Sequence, residues 1–291
     1  MSDPLSELCP LVLRHAPTPT PAVPGVTLWY SHRPTAPMPA MYEPMIYFPV
    51  QGTKRLISGE RALQYGAGSF VLTSLDVPVV GKVIEASADH PYLAVALKLD
   101  PLSIAALLLE LPPATGDTAD DAEALVVTPT TAAMYDALLR LIRLLDAPAD
   151  VPLLAPMIER ELLYRVVQSP RGVVLRQMAR TDSRLSQIQR AVKWVRAHFA
   201  EPLPVETLAG IASMSVSSFH RHFKAVTGLS PLAFLKQVRL QEARLRLLAA
   251  PGAVASVAFA VGYESASQFS REYARQFGIS PGKHAARLRA S

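Results

Sequence analysis

Between Val26 and Asp100 the hydrophobic positions fall in short runs: VTLWYSH, PMIYFPVQG, KRLISG, GSFVLTS, PVVGKVIEA and YLAVALKLD. Gly, Pro or polar turn residues separate them. Runs of this length, spaced at about ten residues, predict an antiparallel β-sandwich or small barrel. Asp89-His90-Pro91 reads as the turn before the final strand. Beyond Asp100 the period lengthens to that of helices, in SIAALLLEL, TAAMYDALLRLIRLLD and PMIERELLYRVVQS, with a polar, acidic loop from Pro112 to Glu123 after the first. Met134, Leu138, Leu141 and Leu145 recur every three to four positions and make one apolar stripe. Helices of this kind either close the core of the β-domain or pair with a second subunit. From Leu185 the chain reads as helix throughout: Ile188, Val192, Val195 and Phe199 share a face, Pro202 stops it, and an amphipathic stretch runs from about Pro231 to Leu248. The last segment reads as a short basic tail.

One segment of this helical third occurs twice. SVSSFHRHFKAVTGLSP begins at Ser215 and SASQFSREYARQFGISP at Ser265, so a shift of 50 residues superimposes Phe219 on Phe269, Arg221 on Arg271, Phe223 on Tyr273 and Gly228 on Gly278. A unit that occurs only twice does not make a solenoid, which needs three or more copies. It reads as two copies of one small module. In each, a short apolar helix and a turn precede a second helix, whose first turn a serine can cap (Ser215, Ser265). That order is helix-turn-helix.

Helical spacing puts Val216, Phe219, Phe223 and Val226 on the inner face of the first copy, and Ser217, His220, Arg221 and Lys224 on the outer. In the second copy Ala266, Phe269, Tyr273 and Phe277 face in, while Ser267, Gln268, Arg271 and Arg275 face out. Arg221 and Arg271 have the two-pronged donor geometry that matches O6 and N7 of guanine, and Gln268 can pair with adenine. Ser217 and Ser267 reach a base or a phosphate. Lys224 and Arg275, further along, suit the phosphate backbone and fix register.

Charge points the same way. Residues 186–291 carry 14 Lys and Arg against 5 Asp and Glu, whereas residues 1–185 carry 15 against 19. Only the tail is built to meet a polyanion, and double-stranded DNA is the expected partner. No apolar run reaches the roughly 20 residues of a membrane span, and the N-terminus lacks the basic flank and apolar run of a signal peptide. With a single cysteine, Cys9, no intramolecular disulfide can form. A reducing, cytoplasmic location is expected.

Residues 186–291 closely resemble the DNA-binding domain of the AraC/XylS family of bacterial transcription regulators. The most diagnostic stretch is VAFAVGYESASQFSREYARQFGISPGKHAARLR, through Val257-Ala258, Gly262-Tyr263, Phe269, Arg271, Tyr273, Gly278 and Ser280-Pro281. The resemblance implies two helix-turn-helix modules joined by a long helix, entering successive major grooves about 34 Å apart. Residues 20–100 resemble, at fold level, the cupin-like N-terminal domain of one subgroup. The expected fold is therefore α+β and multidomain: a cupin-like antiparallel β-barrel with flanking helices, then an all-α domain of two helix-turn-helix modules. The expected divisions are an irregular arm over 1–25, an effector or dimerisation domain over 26–168, a linker over 169–185 and the DNA-binding domain over 186–291.

The resemblance implies a sequence-specific regulator whose front domain senses a small-molecule effector or mediates pairing into a homodimer, and which contacts RNA polymerase if it activates. Tyr30, Glu43, Tyr47 and Lys98, polar residues on expected strands, are the candidates to orient that effector. Neither catalysis nor a cofactor is expected. His15, His32 and His90 are too scattered for a cupin metal site. His220 and His222, two apart on a helix, point about 200° away from each other and cannot share a zinc. Cys9 as a redox sensor would need a basic neighbourhood, and only Arg14 and His15 are near in sequence.

Overall fold

The computed structural model describes residues 3–17, 22–112, 123–249 and 254–289. Its first element is a correction to the irregular arm: Pro4–His15 form helix α1. Asp3 accepts a hydrogen bond from the Leu5 amide at 3.2 Å, and Pro4 stands in the first turn, where a missing N–H costs nothing. Leu8 and Val12, one turn apart, are wholly buried against the β-domain. Of the acidic loop expected over 112–123, positions 113–122 lie outside the described residues.

Nine strands are described: β1 (Val26–Ser31), β2 (Met38–Tyr42), β3 (Met45–Gln51), β4 (Thr53–Ser58), β5 (Arg61–Gly66), β6 (Ser69–Thr73), β7 (Val77–Glu85), β8 (Tyr92–Lys98) and β9 (Leu125–Pro129). They form two facing antiparallel sheets in the orders β1-β8-β3-β6-β9 and β2-β7-β4-β5, a cupin-like double sheet. The six runs picked out by pattern correspond to β1, β3, β4, β6, β7 and β8. β9 falls where the sequence read as helical; it exists by pairing with β6, from Ser69↔Pro129 to Thr73↔Leu125, a long-range partner that local periodicity cannot reveal.

Helices α2 (Pro101–Leu109), α3 (Ala132–Arg143), α4 (Val151–Val167) and α5 (Val173–Ala179) follow. The Asp100 carboxylate caps α2, accepting from the amides of Leu102 and Ser103. The Ser103 hydroxyl, then these amides, hold its carboxyl below the ordinary aspartate value. Helix α5 lies inside the segment expected to be a linker, with Val174 and Leu175 buried against α2.

The C-terminal third comprises α6 (Arg184–Ala197), α7 (Val205–Ile211), α8 (Val216–Thr227), α9 (Pro231–Ala249), α10 (Val254–Ala260), α11 (Ala266–Phe277) and α12 (Pro281–Arg289). The expected basic tail is thus a helix, packed on α9. One apolar core runs without a break from the sheets through α3–α5 into α6, α7, α8 and the first part of α9. The second module has a small core of its own around Leu240, Leu247, Val261, Phe269 and Tyr273.

Candidate nucleic-acid interface and effector cavity

The two repeated helices are built alike. Ser215 and Ser265 each cap with the side-chain oxygen, accepting at 3.3 Å from the amides of Ser218 and Gln268. Gly228 (φ 76°) and Gly278 (φ 69°) end the helices in the left-handed conformation, which glycine adopts without a Cβ penalty. Within α8 the rings of Phe219 and Phe223 lie 5.3 Å apart at 57°, and within α11 those of Phe269 and Tyr273 lie 5.4 Å apart at 57°. All four side chains are fully buried. The preceding helices, α7 and α10, are related by 49 residues rather than 50, because the turn of the second module is one residue longer. Ser213 (φ 54°) and Gly262 (φ 87°) occupy the same left-handed position in the two turns.

On the opposite faces, Ser217, His220, Arg221 and Lys224 of α8 and Ser267, Gln268, Arg271 and Arg275 of α11 are all exposed. Val216, expected on the inner face, is 38 % exposed: it sits in the first turn, ahead of the point where the helix meets its neighbours. Phe277 and Ala266 are half-buried. His222 is buried, with its ring against the guanidinium of Arg184, while His220 faces solvent.

The outward side chains differ in how they are engaged. Among the described residues Arg271 and Arg275 form no ion pair. Gln268 donates through its amide to Glu272 at 3.2 Å, and Glu272 also takes the Tyr263 hydroxyl at 2.9 Å and Lys236 at 3.1 Å. Burial pushes the Glu272 carboxyl up, but those donors more than offset it and hold it below the ordinary value. Lys224 pairs with Glu60 at 3.2 Å. Glu60 belongs to the β4–β5 hairpin, whose tip forms with Ser217, His220, Arg221 and Lys224 a cleft of about 690 Å³.

The β-domain holds a cavity of about 250 Å³ walled by Trp29, Tyr30, Met38, Tyr42, Met45, Tyr47, Val83 and Tyr92, with Lys54 inside. Of the four residues proposed from sequence to orient an effector, Tyr30 and Tyr47 line it and the other two do not. Glu43 lies in the β2–β3 turn, its carboxylate 3.7 Å from Arg196 of α6. Lys98, the last residue of β8, is exposed and borders a separate depression near Asp100 and Glu159. Sequence reasoning missed Lys54, although strand parity signals it: Leu56 and Ser58, at even steps from Lys54, are buried, while Arg55 and Ile57 between them are exposed. A lysine on the inward phase is out of place in a core strand.

The Lys54 ammonium donates to the Tyr42 hydroxyl at 2.8 Å and lies 5.1–6.0 Å from the ring centres of Trp29, Tyr42, Tyr47 and Tyr92. The hydroxyls of Tyr47 and Tyr92 share a hydrogen bond of 2.9 Å, and burial above all pushes both phenols well above the ordinary tyrosine value.

Cys9 is half-buried, and its thiol donates to the Val50 carbonyl at 3.6 Å. Burial, then Asp3, pushes it up, against the thiolate that a sensor needs. Among the described residues no cluster of three metal-ligating side chains occurs, and no described helix is long and apolar enough to cross a membrane.

Both parts of the chain match known families. A family described as the N-terminus of AraC-type transcriptional regulators matches residues 22–174, and a helix-turn-helix domain family matches residues 208–287. The transcriptional activator RhaS of Escherichia fergusonii is 32 % identical over 130 residues, 44 % of this chain and 46 % of RhaS. That of Enterobacter sp. strain 638 is 33 % identical over 124 residues, 42 % of this chain and 44 % of its own length. The chain thus spans about half the length of the curated relatives it matches. Among solved structures, ToxT of Vibrio cholerae with an unsaturated fatty acid bound is similar in fold, with a TM-score of 0.58 at 11 % identity over 89 % of this chain and 94 % of that one. With a family match covering more than half of its residues, the chain belongs to the AraC-type transcriptional regulators.

Proposed function

We propose that this protein is a sequence-specific, effector-responsive transcription regulator that grips double-stranded DNA with α8 and α11. The observation that carries this reading is the duplication of one recognition surface on one scaffold: the same serine cap, aromatic pair and glycine stop, each with an exposed arginine two residues past the first aromatic. Arg221 and Arg271 read guanine edges, and His220 and Gln268 assist them. Gln268 must exchange Glu272 for a base to do so. Lys224 and Arg275 serve the backbone, and Ser217 and Ser267 reach a base or a phosphate. The effector sits in the cavity between the sheets. The protein acts in the cytoplasm by binding rather than by catalysis, pairs with a second copy through the helices after the barrel, and meets RNA polymerase where it activates.

Selection of DNA from a random pool by the full chain, followed by affinity measurements at two salt concentrations, tests this. Recovery of two reading blocks one helical turn apart supports it. Salt-sensitive binding with no enriched motif would reduce the basic domain to an electrostatic anchor.

A further inference from the structure

We infer that the depression between the first sheet and α4 binds a small organic ammonium ion with a compact aliphatic body, and that Glu159 holds its charge. The depression, of about 410 Å³, lies where the start of β1, the end of β8 and the start of β3 run side by side under Glu159, Leu162 and Leu163 of α4. It is distinct from the cavity between the sheets. Met45 and Tyr47 line that cavity, whereas Ile46, between them, lines the depression, so the two sites use opposite faces of β3. The inference therefore stands apart from the effector reading of the cavity.

Glu159 stands four residues after Ala155 and three before Leu162, both buried, and so on the inward face of α4. A carboxylate on that face needs a counter-charge, and the fold supplies none. Among the described residues Glu159 forms neither a hydrogen bond nor an ion pair, and burial, with no cation to oppose it, pushes its carboxyl above the ordinary glutamate value. The nearby arginines are committed elsewhere, Arg160 to Glu110, and Arg140 and Arg165 to Glu161. Asp100, the other carboxylate of the lining, caps α2 and takes the Ser103 hydroxyl. Lys98 is exposed at the rim and pairs with neither acid. Two carboxylates against one ammonium leave the lining net negative.

The rest of the wall selects the body of the ligand. Ile46, Leu97, Leu99, Leu162 and Leu163 make it aliphatic, and no aromatic side chain lines it. Among the described residues no group of three metal ligands occurs, and a hydrated metal ion gains nothing from a hydrocarbon wall. An ammonium on a hydrocarbon body gains twice, by burying its methylenes and by giving its three donors to the carboxylate in charge-assisted bonds. Volume limits size: 410 Å³ is the liquid volume of about fourteen waters, room for one saturated ring with its ammonium arm.

Calorimetric titration of the full chain with cyclohexylmethylamine, cyclohexylmethanol and cyclohexanecarboxylate tests the assignment without any mutation. The amine should bind at least tenfold more tightly than the alcohol, and the acid should not bind. Glu159→Gln should lose at least tenfold in amine affinity and leave that of the alcohol unchanged. Asp136→Asn, which removes an exposed carboxylate of α3 outside the depression, should leave both as they are. Circular dichroism of the variants checks that they fold. Equal affinity for amine and alcohol, no amine binding at millimolar concentration, or an unchanged amine affinity in Glu159→Gln would overturn the inference. So would displacement of the amine by millimolar Mg²⁺, which would mark the depression as a metal site.

Discussion

Gly59 at the tip of the β4–β5 hairpin meets Gly228 at the end of α8 so closely that a Cβ on Gly59 would lie 2.1 Å from the Gly228 carbonyl oxygen. Around this contact the β-domain satisfies the free carbonyls that every helix leaves at its C-terminus. Arg61 donates to the Ala225 carbonyl at 2.8 Å, the Ala124 amide to Val226 at 3.0 Å, and the Ser58 hydroxyl to Thr227 at 3.4 Å. The last turn of the first recognition helix is thus capped by the domain that houses the cavity. A shift of the hairpin changes the partners of that turn directly.

Gly59→Ala should undo this docking. Its backbone (φ 59°) penalises alanine by roughly 1–2 kcal/mol wherever it occurs, and the collision with Gly228 adds to that. Gly68→Ala, at φ 91° with nothing within 4 Å, is the control for backbone strain alone. Hydrogen exchange at the Ala124 amide should accelerate in the first variant and not in the second. Equal protection in both would mean that the contact is slack.

The Lys224–Glu60 pair puts a carboxylate where α8 is expected to meet a phosphate. Glu60→Gln should free Lys224 and raise DNA affinity up to about fivefold at low salt, since exposed pairs are worth at most about 1 kcal/mol. Lys224→Ala should weaken binding to all sequences alike and lower the salt slope by about one. In the Lys224→Ala background Glu60→Gln should have no further effect. An undiminished gain there would show that Glu60 acts on DNA by some other route.

What was legible beforehand follows from range of interaction. The recognition helices could be read because serine cap, aromatic spacing and glycine stop are local and occur twice. Strand β9 and the cavity could not, because Leu125–Pro129 becomes a strand only by pairing with β6, and the cage around Lys54 draws rings from β1, β2, β3 and β8. Glu43 and Lys98 lie outside that cavity, which the sequence could not show for a related reason: a polar residue near a strand end gives no sign of whether its side chain turns into the cavity or toward another part of the fold. Parity along β4 did carry the missing information, in the lysine two residues before the buried Leu56.

Arg271→Ala should relax base preference at one or two positions of a half-site, each by about 1–3 kcal/mol, and leave the others intact. Among the described residues Arg271 forms no ion pair, so its removal strands no charged partner in the fold, and the effect reads cleanly as recognition. Binding arrays covering every single-base variant of the selected site give the answer. A uniform loss over all sequences would reassign Arg271 to the phosphates.

Acid should loosen the second module through His284. Its imidazole contacts the Tyr273 hydroxyl at 3.0 Å and lies 5.7 Å from the Phe277 ring, joining α12 to α11. Burial first, then Arg244 and Arg287, lower its proton affinity below the ordinary histidine value. The folded state therefore binds fewer protons than the unfolded one as pH falls through about 6.5, and stability declines with it, because the slope of unfolding free energy with pH follows that difference in bound protons. The contribution is full above the unfolded histidine range and is lost progressively below it, until the folded group is protonated too. Amide exchange in α11, followed from pH 7.5 to 5.5 and corrected for intrinsic rates, should show falling protection. His284→Gln, which keeps a polar side chain without a titrating one, should flatten that dependence. A second module whose protection is unchanged by acid in the native protein would show that His284 binds its proton alike in the folded and unfolded states.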